Sequence, residues 1–457
     1  MSQDAAPSLP YRLATRLVVD SITYTNPLPA WSTDVEGGYL SRERLVEKRI
    51  RAYLDGEKPR PSFAIAVPKK SGAFNTWLVP SVCDQIVLQT CVSALAEKLD
   101  RALGPGVFSC RYNDDPNRIQ LTAVSVVSWR RFRAETDRLL ARHNQVLQLD
   151  LASAFPSIQR DSFFRFLQAA APDSDVVTLL QTLLDSFNQP GIPLMNDSMF
   201  FLGNAYLGAV DQIVARYTPT FIRFVDDYRI FGQSASELER AVENISRDLK
   251  AIGLALNFSK LKLGSAQEFL QAISKPPDSP KTKVDEANAT SGDTMTADFA
   301  PAENLVNQVA RTLDDPDKYF NEGMGRLILG AICRLQADAA LSAARGYNGS
   351  MLEAFRRTLY DNTDLSNRIL DLIPSYLAKP NEAWRTVWLL YLARELSWNQ
   401  NLNQRTSDLA EDIVRSQAPP VVKLWAGAIK RGGRPVPAAT DVDELDYLEA
   451  GGRYVGA

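Results

Sequence analysis

The chain has 457 residues but a single histidine, His143, and four cysteines. The cysteines are Cys83, Cys91, Cys110 and Cys333, and none of them forms a paired metal-ligand spacing. Zinc in proteins is held mainly by Cys and His, so this composition argues against a zinc site. Unpaired thiols are typical of a reducing compartment, and we therefore expect a cytoplasmic protein.

Long apolar runs are also missing. The sequence has no stretch of about 18 apolar residues, and its N-terminus lacks an apolar run of signal-peptide length. We therefore expect neither export nor a membrane partner. The net charge of −3 gives no sign of a nucleic-acid partner, but residues 1–149 carry 20 Lys or Arg against 15 Asp or Glu. A basic front part thus precedes an acidic remainder.

The sequence does contain two adjacent carboxylates, Asp226 and Asp227, between two short apolar runs. Strands disfavour Asp and turns favour it, so the pattern predicts a β-hairpin with both residues at its tip. Two like charges at one tip repel each other unless a cation lies beside them, and Mg²⁺ prefers oxygen ligands. The dipeptide alone leaves a solvated turn open as the alternative.

A third carboxylate stands at the end of another apolar run. Residues 146–151 predict a buried strand that ends near Asp150, followed by a turn and a helix from about Arg160. Carboxylates from neighbouring elements can supply a two-metal phosphoryl-transfer site. Asp150, the aromatic Phe155 five residues later, and the downstream stretch 224–227 (Phe-Val-Asp-Asp) together resemble the palm of reverse transcriptases.

Other segments extend this resemblance. Residues 63–80 predict a β-hairpin turned at Ser71-Gly72, which is similar to the fingers hairpin of the family. The resemblance implies that Lys69 and Lys70 meet the incoming triphosphate, although a solvated basic turn is the alternative. Arg111 lies in residues 108–112 (Phe-Ser-Cys-Arg-Tyr), which resemble a family segment that often reads Ser, aromatic, Gly, Phe, Arg. The resemblance implies that Arg111 lies near the template or primer.

The stretch before the Asp pair is similar to a family loop and helix. Gly191 and Pro193 match two positions of a Gly-x-Pro-x-Gly loop, and Asn204 follows in a predicted helix over residues 199–214. The resemblance implies that Gly191 lies against the nucleotide and that Pro193 and Asn204 lie near the template or primer. Downstream, Gly253 predicts a helix end, and a short strand is expected between it and Lys260. Lys260 resembles the family lysine that is proposed to donate a proton to pyrophosphate.

The resemblance also implies the chemistry of the site. Asp150, the backbone of Leu151, Asp226 and Asp227 would bind two Mg²⁺ ions, or Mn²⁺ in their place. Phe155 would lie under the sugar and exclude a 2′-hydroxyl, unless it is an ordinary core aromatic. The implied activity is DNA synthesis from dNTPs, either RNA-directed or template-independent. The implied partners are an RNA template or DNA product, and further copies of the chain in a homo-oligomer.

The predicted fold class is α+β. Residues 1–274 are expected to form reverse-transcriptase fingers and palm, with an antiparallel sheet that carries helices on one face. Residues 275–303, polar and rich in Pro, predict a flexible linker. Residues 304–457 predict an all-α, helical-repeat-like domain of six or seven helices, and in the helix over residues 382–398 the apolar side chains form a stripe. A palm coupled to such helices resembles bacterial antiphage reverse transcriptases of the abortive-infection and "unknown group" classes.

Three other functions remain open from the sequence. The first is an intron- or retron-like reverse transcriptase that copies a dedicated RNA. The second is an RNA-dependent RNA polymerase, against which Phe155 argues. The third is a non-catalytic nucleic-acid-binding scaffold on a degenerate palm, against which the three intact carboxylates argue.

Overall fold

The computed structural model describes most of the chain between residues 43 and 430. The described residues are 43–274 and 302–430, apart from gaps at 60–61, 70–72, 81, 116–119, 124, 173, 188, 322, 326–327, 329–330, 333–334, 336–350 and 397–399, together with Ala14, Leu17 and Val18. The predicted linker over residues 275–303 therefore falls almost wholly outside the described part. The fold is α+β with two small antiparallel sheets among the described residues.

The chain divides into two compact units. One unit includes Leu88–Ala297, and the other combines Tyr11–Val87 with Asp298–Ala457. In this division the hairpin over residues 63–79 groups with the C-terminal helices, because compact units depend on contacts between residues that are distant in the sequence. The domains expected over residues 1–274 and 304–457 stay a prediction.

The first unit is built on a four-stranded antiparallel sheet with the order β4-β5-β3-β6. Its strands are β3 (Gln145–Asp150), β4 (Phe221–Phe224), β5 (Asp227–Gly232) and β6 (Lys262–Ser265). Strand β3 corresponds to the strand predicted before Asp150 and lies between β5 and β6. Strands β4 and β5 form the predicted hairpin, but only Asp226 of the Asp pair lies in the turn, with Val225. Asp227 was expected there as well, and it is instead the first residue of β5, where it pairs with Phe224.

The remaining elements of this unit are helices. They are α2 (Val82–Arg101, in which the boundary between the units falls), α3 (Ser125–Leu140), α4 (Ala154–Ser157), α5 (Arg160–Ala170), α6 (Asp175–Ser186), α7 (Asp197–Tyr206), α8 (Gly208–Tyr217), α9 (Ala235–Ala251) and α10 (Ala266–Ser274), with a 3-10 turn at Phe258–Lys260. The sequence predicts helices over residues 81–99, 129–142, 162–171, 176–187 and 235–252, and α2, α3, α5, α6 and α9 correspond to them within a few residues at each end.

Helices cover both faces of this sheet, whereas one covered face was expected. Because side chains alternate along a strand, Val146, Ile222 and Phe231 share one face. They pack in one apolar cluster with Phe132 of α3 and Ala266 at the start of α10. Helices α8 and α9 cover the opposite face. Asp211 of α8 accepts hydrogen bonds there from Arg223 of β4 and Tyr228 of β5, and α9 packs beside α8.

Two local predictions differ from the structure. The helix expected over residues 199–214 is divided into α7 and α8 at Leu207, next to Gly208, a residue type that weakens helices. The short strand expected after Gly253 is reduced to a single bridge between Leu151 and Leu256, followed by the 3-10 turn. Gly253 does end α9, with the positive φ of 81° that favours glycine.

The second unit contains a two-stranded hairpin and a set of helices. Its elements are α1 (Glu43–Leu54), β1 (Phe63–Pro68), β2 (Phe74–Val79), α11 (Ala302–Asp314), α12 (Pro316–Tyr319), α13 (Met351–Asp361), α14 (Thr363–Leu377), α15 (Ala383–Leu396), α16 (Gln400–Arg415) and α17 (Pro420–Lys430). The predicted hairpin and most predicted helices are present. A repeat architecture stays a prediction.

Helix α15 is the centre of the second unit. The sequence predicted an apolar stripe, yet nearly every described residue of this helix is buried. Trp384 and Trp388 pack with Phe320 at ring distances of 5.3–6.1 Å. The buried Arg385 donates to both carboxylate oxygens of Glu382 at 2.6 and 2.7 Å, so its charge is compensated. A helix that is buried on all sides is typical of a core.

No described helix combines the length and the apolar composition that crossing a bilayer requires.

Candidate active site

Three carboxylates meet at one end of the four-stranded sheet. Strands β3 and β5 are antiparallel neighbours, and their register places Asp150 directly opposite Asp227. Asp226 lies in the β4–β5 turn, directly before Asp227 of β5. Directly opposed residues of an antiparallel pair have Cβ atoms about 4.5–5.5 Å apart. The structure therefore brings together the three carboxylates that the sequence singled out, from segments far apart in the chain.

The turn that carries Asp226 has an unusual backbone. Val225 lies in the left-handed region with φ of 57°, which is rare for a β-branched residue and costs on the order of 1–3 kcal/mol. Side chains hold both of its backbone polar groups. Its N–H donates to Ser109 Oγ at 2.5 Å, and its carbonyl accepts from Arg223 Nη1 at 2.9 Å. The surroundings thus fix the conformation that precedes Asp226.

Arg223 is itself held by a buried polar network. Its guanidinium is fully buried and makes two hydrogen bonds of 2.7 Å to the carboxylate of Asp211. Asn204 Oδ1 accepts from the same guanidinium at 2.6 Å, and the Tyr228 hydroxyl donates to Asp211 at 2.9 Å. Paired and hydrogen-bonded in this way, the buried charges are satisfied. The network joins α7, α8, β4 and β5 beneath the turn.

The three carboxylates raise the charge density of the site. Burial raises the pKa of Asp226, and the neighbouring charge of Asp150 raises it further. Burial also raises the pKa of Asp227 to about 6; Arg229 opposes this shift, while Asp150 and Asp226 add to it. Burial and like charges both disfavour the ionised forms. A bound cation would relieve this electrostatic cost.

The 3-10 turn supplies the groups that contact Asp150. Lys260 Nζ lies 3.0 Å from Asp150 Oδ2, and Asn257 Nδ2 donates to the same oxygen at 3.2 Å. The Asn257 N–H also donates to the Asp150 carbonyl at 2.8 Å. The hydrogen bond to Asp150 raises the pKa of Lys260, which keeps the amine protonated. The sequence prediction that Lys260 belongs to the site is consistent with this contact.

The donor set suits a hard divalent cation, because it consists of carboxylate and carbonyl oxygens. Asp150, Asp226 and Asp227 are the candidate ligands, with the adjacent carbonyl of Leu151. However, no group of three or more His, Cys, Asp or Glu side chains among the described residues is already arranged around a metal position. One oxygen of Asp150 is engaged by Lys260 instead. The chemistry of the ligands fits Mg²⁺ or Mn²⁺, but the site is not a preformed cage.

Phe155 lies in the core behind the carboxylates. Its side chain is 5% exposed, and its ring lies 5.8 Å from that of Phe200 on α7. A Cβ on Gly203 would stand 2.7 Å from this ring, so only glycine leaves room for it there. Phe155 therefore has a packing role, and contact with a sugar stays a prediction.

The predicted nucleotide loop is also buried. Gly191 has φ of 64°, and a Cβ at this position would overlap the backbone carbonyl of Pro156. The Ile192 N–H donates to the Phe155 carbonyl at 2.9 Å, which ties the loop to the segment after β3. Pro193 is buried as well. These contacts explain why the loop needs Gly191. Gly191 and Pro193 are both buried, so neither is exposed to a nucleic acid in this structure.

Two residues predicted near the template or primer are engaged within the unit. Asn204 is fully buried, and its Nδ2 donates to the Ser109 carbonyl at 3.0 Å. Arg111 makes hydrogen bonds of 2.8 and 2.9 Å to the Asp100 carboxylate. In this structure both side chains stabilise the fold, and a direct contact of either with a nucleic acid remains only a prediction.

The predicted triphosphate lysines lie in the other unit. Lys69 is exposed at the end of β1, and its backbone N–H donates to the Ala73 carbonyl at 2.7 Å. Lys70 lies outside the described residues. Their role as triphosphate ligands therefore stays a prediction.

Sequence reasoning missed the roles of Arg223, Ser109 and Asn257. One signal was available for the first of them, since an arginine inside an otherwise apolar strand, Phe-Ile-Arg-Phe, indicates a buried charge that needs a partner. The other two roles depend on contacts across more than 100 residues of sequence. No local pattern identifies such contacts.

No protein-family model matches the chain, and no curated protein sequence matches it either.

The buried network generates a prediction about stability. Asp211→Asn should lower the free energy of unfolding by about 3–5 kcal/mol, because it leaves the guanidinium of Arg223 buried without its counter-charge. Asp185→Asn is the matched control, since Asp185 is exposed and pairs at 3.5 Å with Arg160. It should cost no more than about 1 kcal/mol. Urea denaturation measures both variants, and equal losses would contradict the assigned role of the network.

Proposed function

We propose that this chain is a metal-dependent nucleotidyltransferase of the reverse transcriptase type, which makes DNA from dNTPs and acts in bacterial antiphage defence. The observation that carries the proposal is the register that sets Asp150 opposite Asp227, with Asp226 in the adjoining turn. The order of the segments and the hairpin that carries the Asp pair support it. The antiphage role rests on the resemblance alone.

The positions of the residues in the site assign each of them a role in the proposed reaction. When bound by Asp150, the Leu151 carbonyl, Asp226 and Asp227, Mg²⁺ would lower the pKa of an attacking hydroxyl and offset charge on the phosphoryl group. The Arg223 network holds the turn so that Asp226 keeps a fixed position. Lys260 is protonated beside Asp150, so it can donate a proton to the departing pyrophosphate.

The remaining assignments belong to the same proposal. Gly191 shapes the loop behind the nucleotide, and Lys69 and Lys70 bind its triphosphate. Phe155 sets the space available at the sugar. The second unit promotes homo-oligomer formation, and RNA template or DNA product is the nucleic-acid partner.

A second candidate function is a non-catalytic nucleic-acid-binding scaffold. It is favoured by one observation, namely that Lys260 and Asn257 both engage the Asp150 oxygen that a metal ion would need. A lysine that permanently replaces the metal would leave a stable but inactive site. Divalent-cation binding therefore distinguishes the two functions before any activity is measured.

The first test concerns the carboxylates. Asp226→Asn combined with Asp227→Asn should abolish Mg²⁺-dependent dNTP incorporation while leaving the fold intact, because it removes ligands on a turn and opens no cavity. Mg²⁺ should raise the melting temperature of the wild type, since it binds the folded state, and this increase should be absent in the variant.

Glu239→Gln, on the exposed side of α9, is the matched control and should retain both properties. Synthesis that persists in the double variant would exclude the polymerase proposal. A wild type that neither gains stability with Mg²⁺ nor incorporates dNTPs would favour the scaffold.

The second test concerns Phe155. Phe155→Val should increase the use of ribonucleotides relative to deoxyribonucleotides by about 10- to 200-fold, the range typical of a change of one small group in a pocket. Competition between NTP and dNTP at equal concentrations measures the ratio. Phe163→Val, at a fully buried phenylalanine of α5, controls for loss of core packing. An unchanged sugar preference in an active Phe155→Val enzyme would make Phe155 a core residue only.

A further inference from the structure

Phe258 stands out on the surface of the first unit. Its side chain is 62% exposed, more than any other large hydrophobic residue in the described part of the chain, and the next, Phe74, is 45% exposed. Burying a phenylalanine is worth about 1.5–3 kcal/mol, so this exposure forgoes stabilisation. A single exposed apolar residue is common on protein surfaces, and exposure alone therefore assigns no role.

The exposed Phe258 lies next to the candidate active site. It lies directly after Asn257 and two residues before Lys260, and both of these side chains contact Asp150 Oδ2. The segment is fastened to the last residue of β3, since the Asn257 N–H donates to the Asp150 carbonyl at 2.8 Å. The exposed ring is therefore carried by a backbone that is bonded directly to a candidate catalytic strand.

The segment is also fixed internally. The Lys260 N–H donates to the Asn257 carbonyl at 3.0 Å, and the Ser259 hydroxyl donates to Asn257 Oδ1 at 2.7 Å. Because these bonds order the backbone of the turn, that backbone loses no further freedom when the ring contacts a ligand. An exposed aromatic ring is suited to stacking on the face of a planar ligand.

The charges around the ring indicate the kind of ligand. Residues 257–262 contain two lysines and no acidic residue, and Lys260 and Lys262 are both exposed. An exposed aromatic interleaved with lysines is the pattern with which proteins hold single-stranded nucleic acid, since the ring stacks on a base and the cations meet the phosphates. Lys260 already pairs with Asp150, so Lys262 is the lysine of this segment that can contact the phosphate backbone of a nucleic acid.

We propose that Phe258 is a stacking platform for a nucleobase of the strand whose end is extended, with Lys262 bound to the phosphate backbone of that strand. This inference rests on the proposed function and adds a strand-binding site that the three carboxylates do not define. It places the strand beside the end of β3, next to Asp150. Because every base has an aromatic face, the contact is tolerant of sequence.

The test measures binding separately from synthesis. Full-length protein is titrated with a fluorescein-labelled single-stranded DNA oligonucleotide of mixed sequence in Mg²⁺ without dNTPs, and anisotropy gives Kd. Phe258→Ala should weaken binding about 5- to 150-fold, which corresponds to about 1–3 kcal/mol for one stacked base. Phe258→Trp should retain affinity, because it keeps an aromatic face.

Salt dependence separates stacking from charge. Lys262→Ala should reduce the slope of log Kd against log salt concentration by about 0.7, the value for one phosphate contact on a single strand, whereas Phe258→Ala should leave the slope unchanged. Tyr319→Ala, at an exposed aromatic of the second unit, and Lys250→Ala, at an exposed lysine of α9, are the matched controls. Both should bind as the wild type does.

The outcomes separate this inference from the proposed function. If the wild type binds and extends a primer while Phe258→Ala shows the same Kd and the same KM for primer, the stacking site is excluded and the polymerase proposal stands. If Phe258→Ala changes only the oligomer size in light scattering, the ring is a protein contact and the inference is wrong. If the wild type neither binds the oligonucleotide nor synthesises DNA, both are excluded.

Discussion

The ion pair between Arg223 and Asp211 is the interaction on which the first unit depends. Moving a guanidinium and a carboxylate out of water costs several kcal/mol for each ion, so the pair is tolerable only with good geometry and additional hydrogen bonds. Here Asn204 and Tyr228 supply those bonds. Because the partners come from α7, α8, β4 and β5, satisfying one buried arginine fixes the relative positions of four elements and of the turn that bears Asp226.

The three carboxylates of the site lower the stability of the folded state, because their negative charges repel one another. Carboxylates that are partly buried and close together destabilise the folded state at neutral pH, as the raised pKa values of Asp226 and Asp227 indicate. Lys260 compensates part of this charge through Asp150. The remaining negative charge of the three carboxylates is a cost that a bound cation would offset.

The sequence predicted those features whose cause is local. The apolar run before Asp150, the Asp pair between two apolar runs, and the paired strands within residues 63–80 all follow from alternation and turn chemistry. Features set by distant contacts could not be predicted. Ser109 reaches Val225, Asn257 reaches Asp150, and the N-terminal hairpin groups with the C-terminal helices. Helix α15 is buried on all sides because of its neighbours, which periodicity does not reveal.

The packing of Phe155 against Gly203 has an evolutionary consequence. The ring occupies the space where a side chain at position 203 would begin, so the two positions share one fixed volume. Overpacking a dense interior is costly, as is leaving a void in it. A larger residue at 203 can therefore be accepted only after a smaller one appears at 155. The two sites should drift as a correlated pair, and the order in which their substitutions arise is constrained.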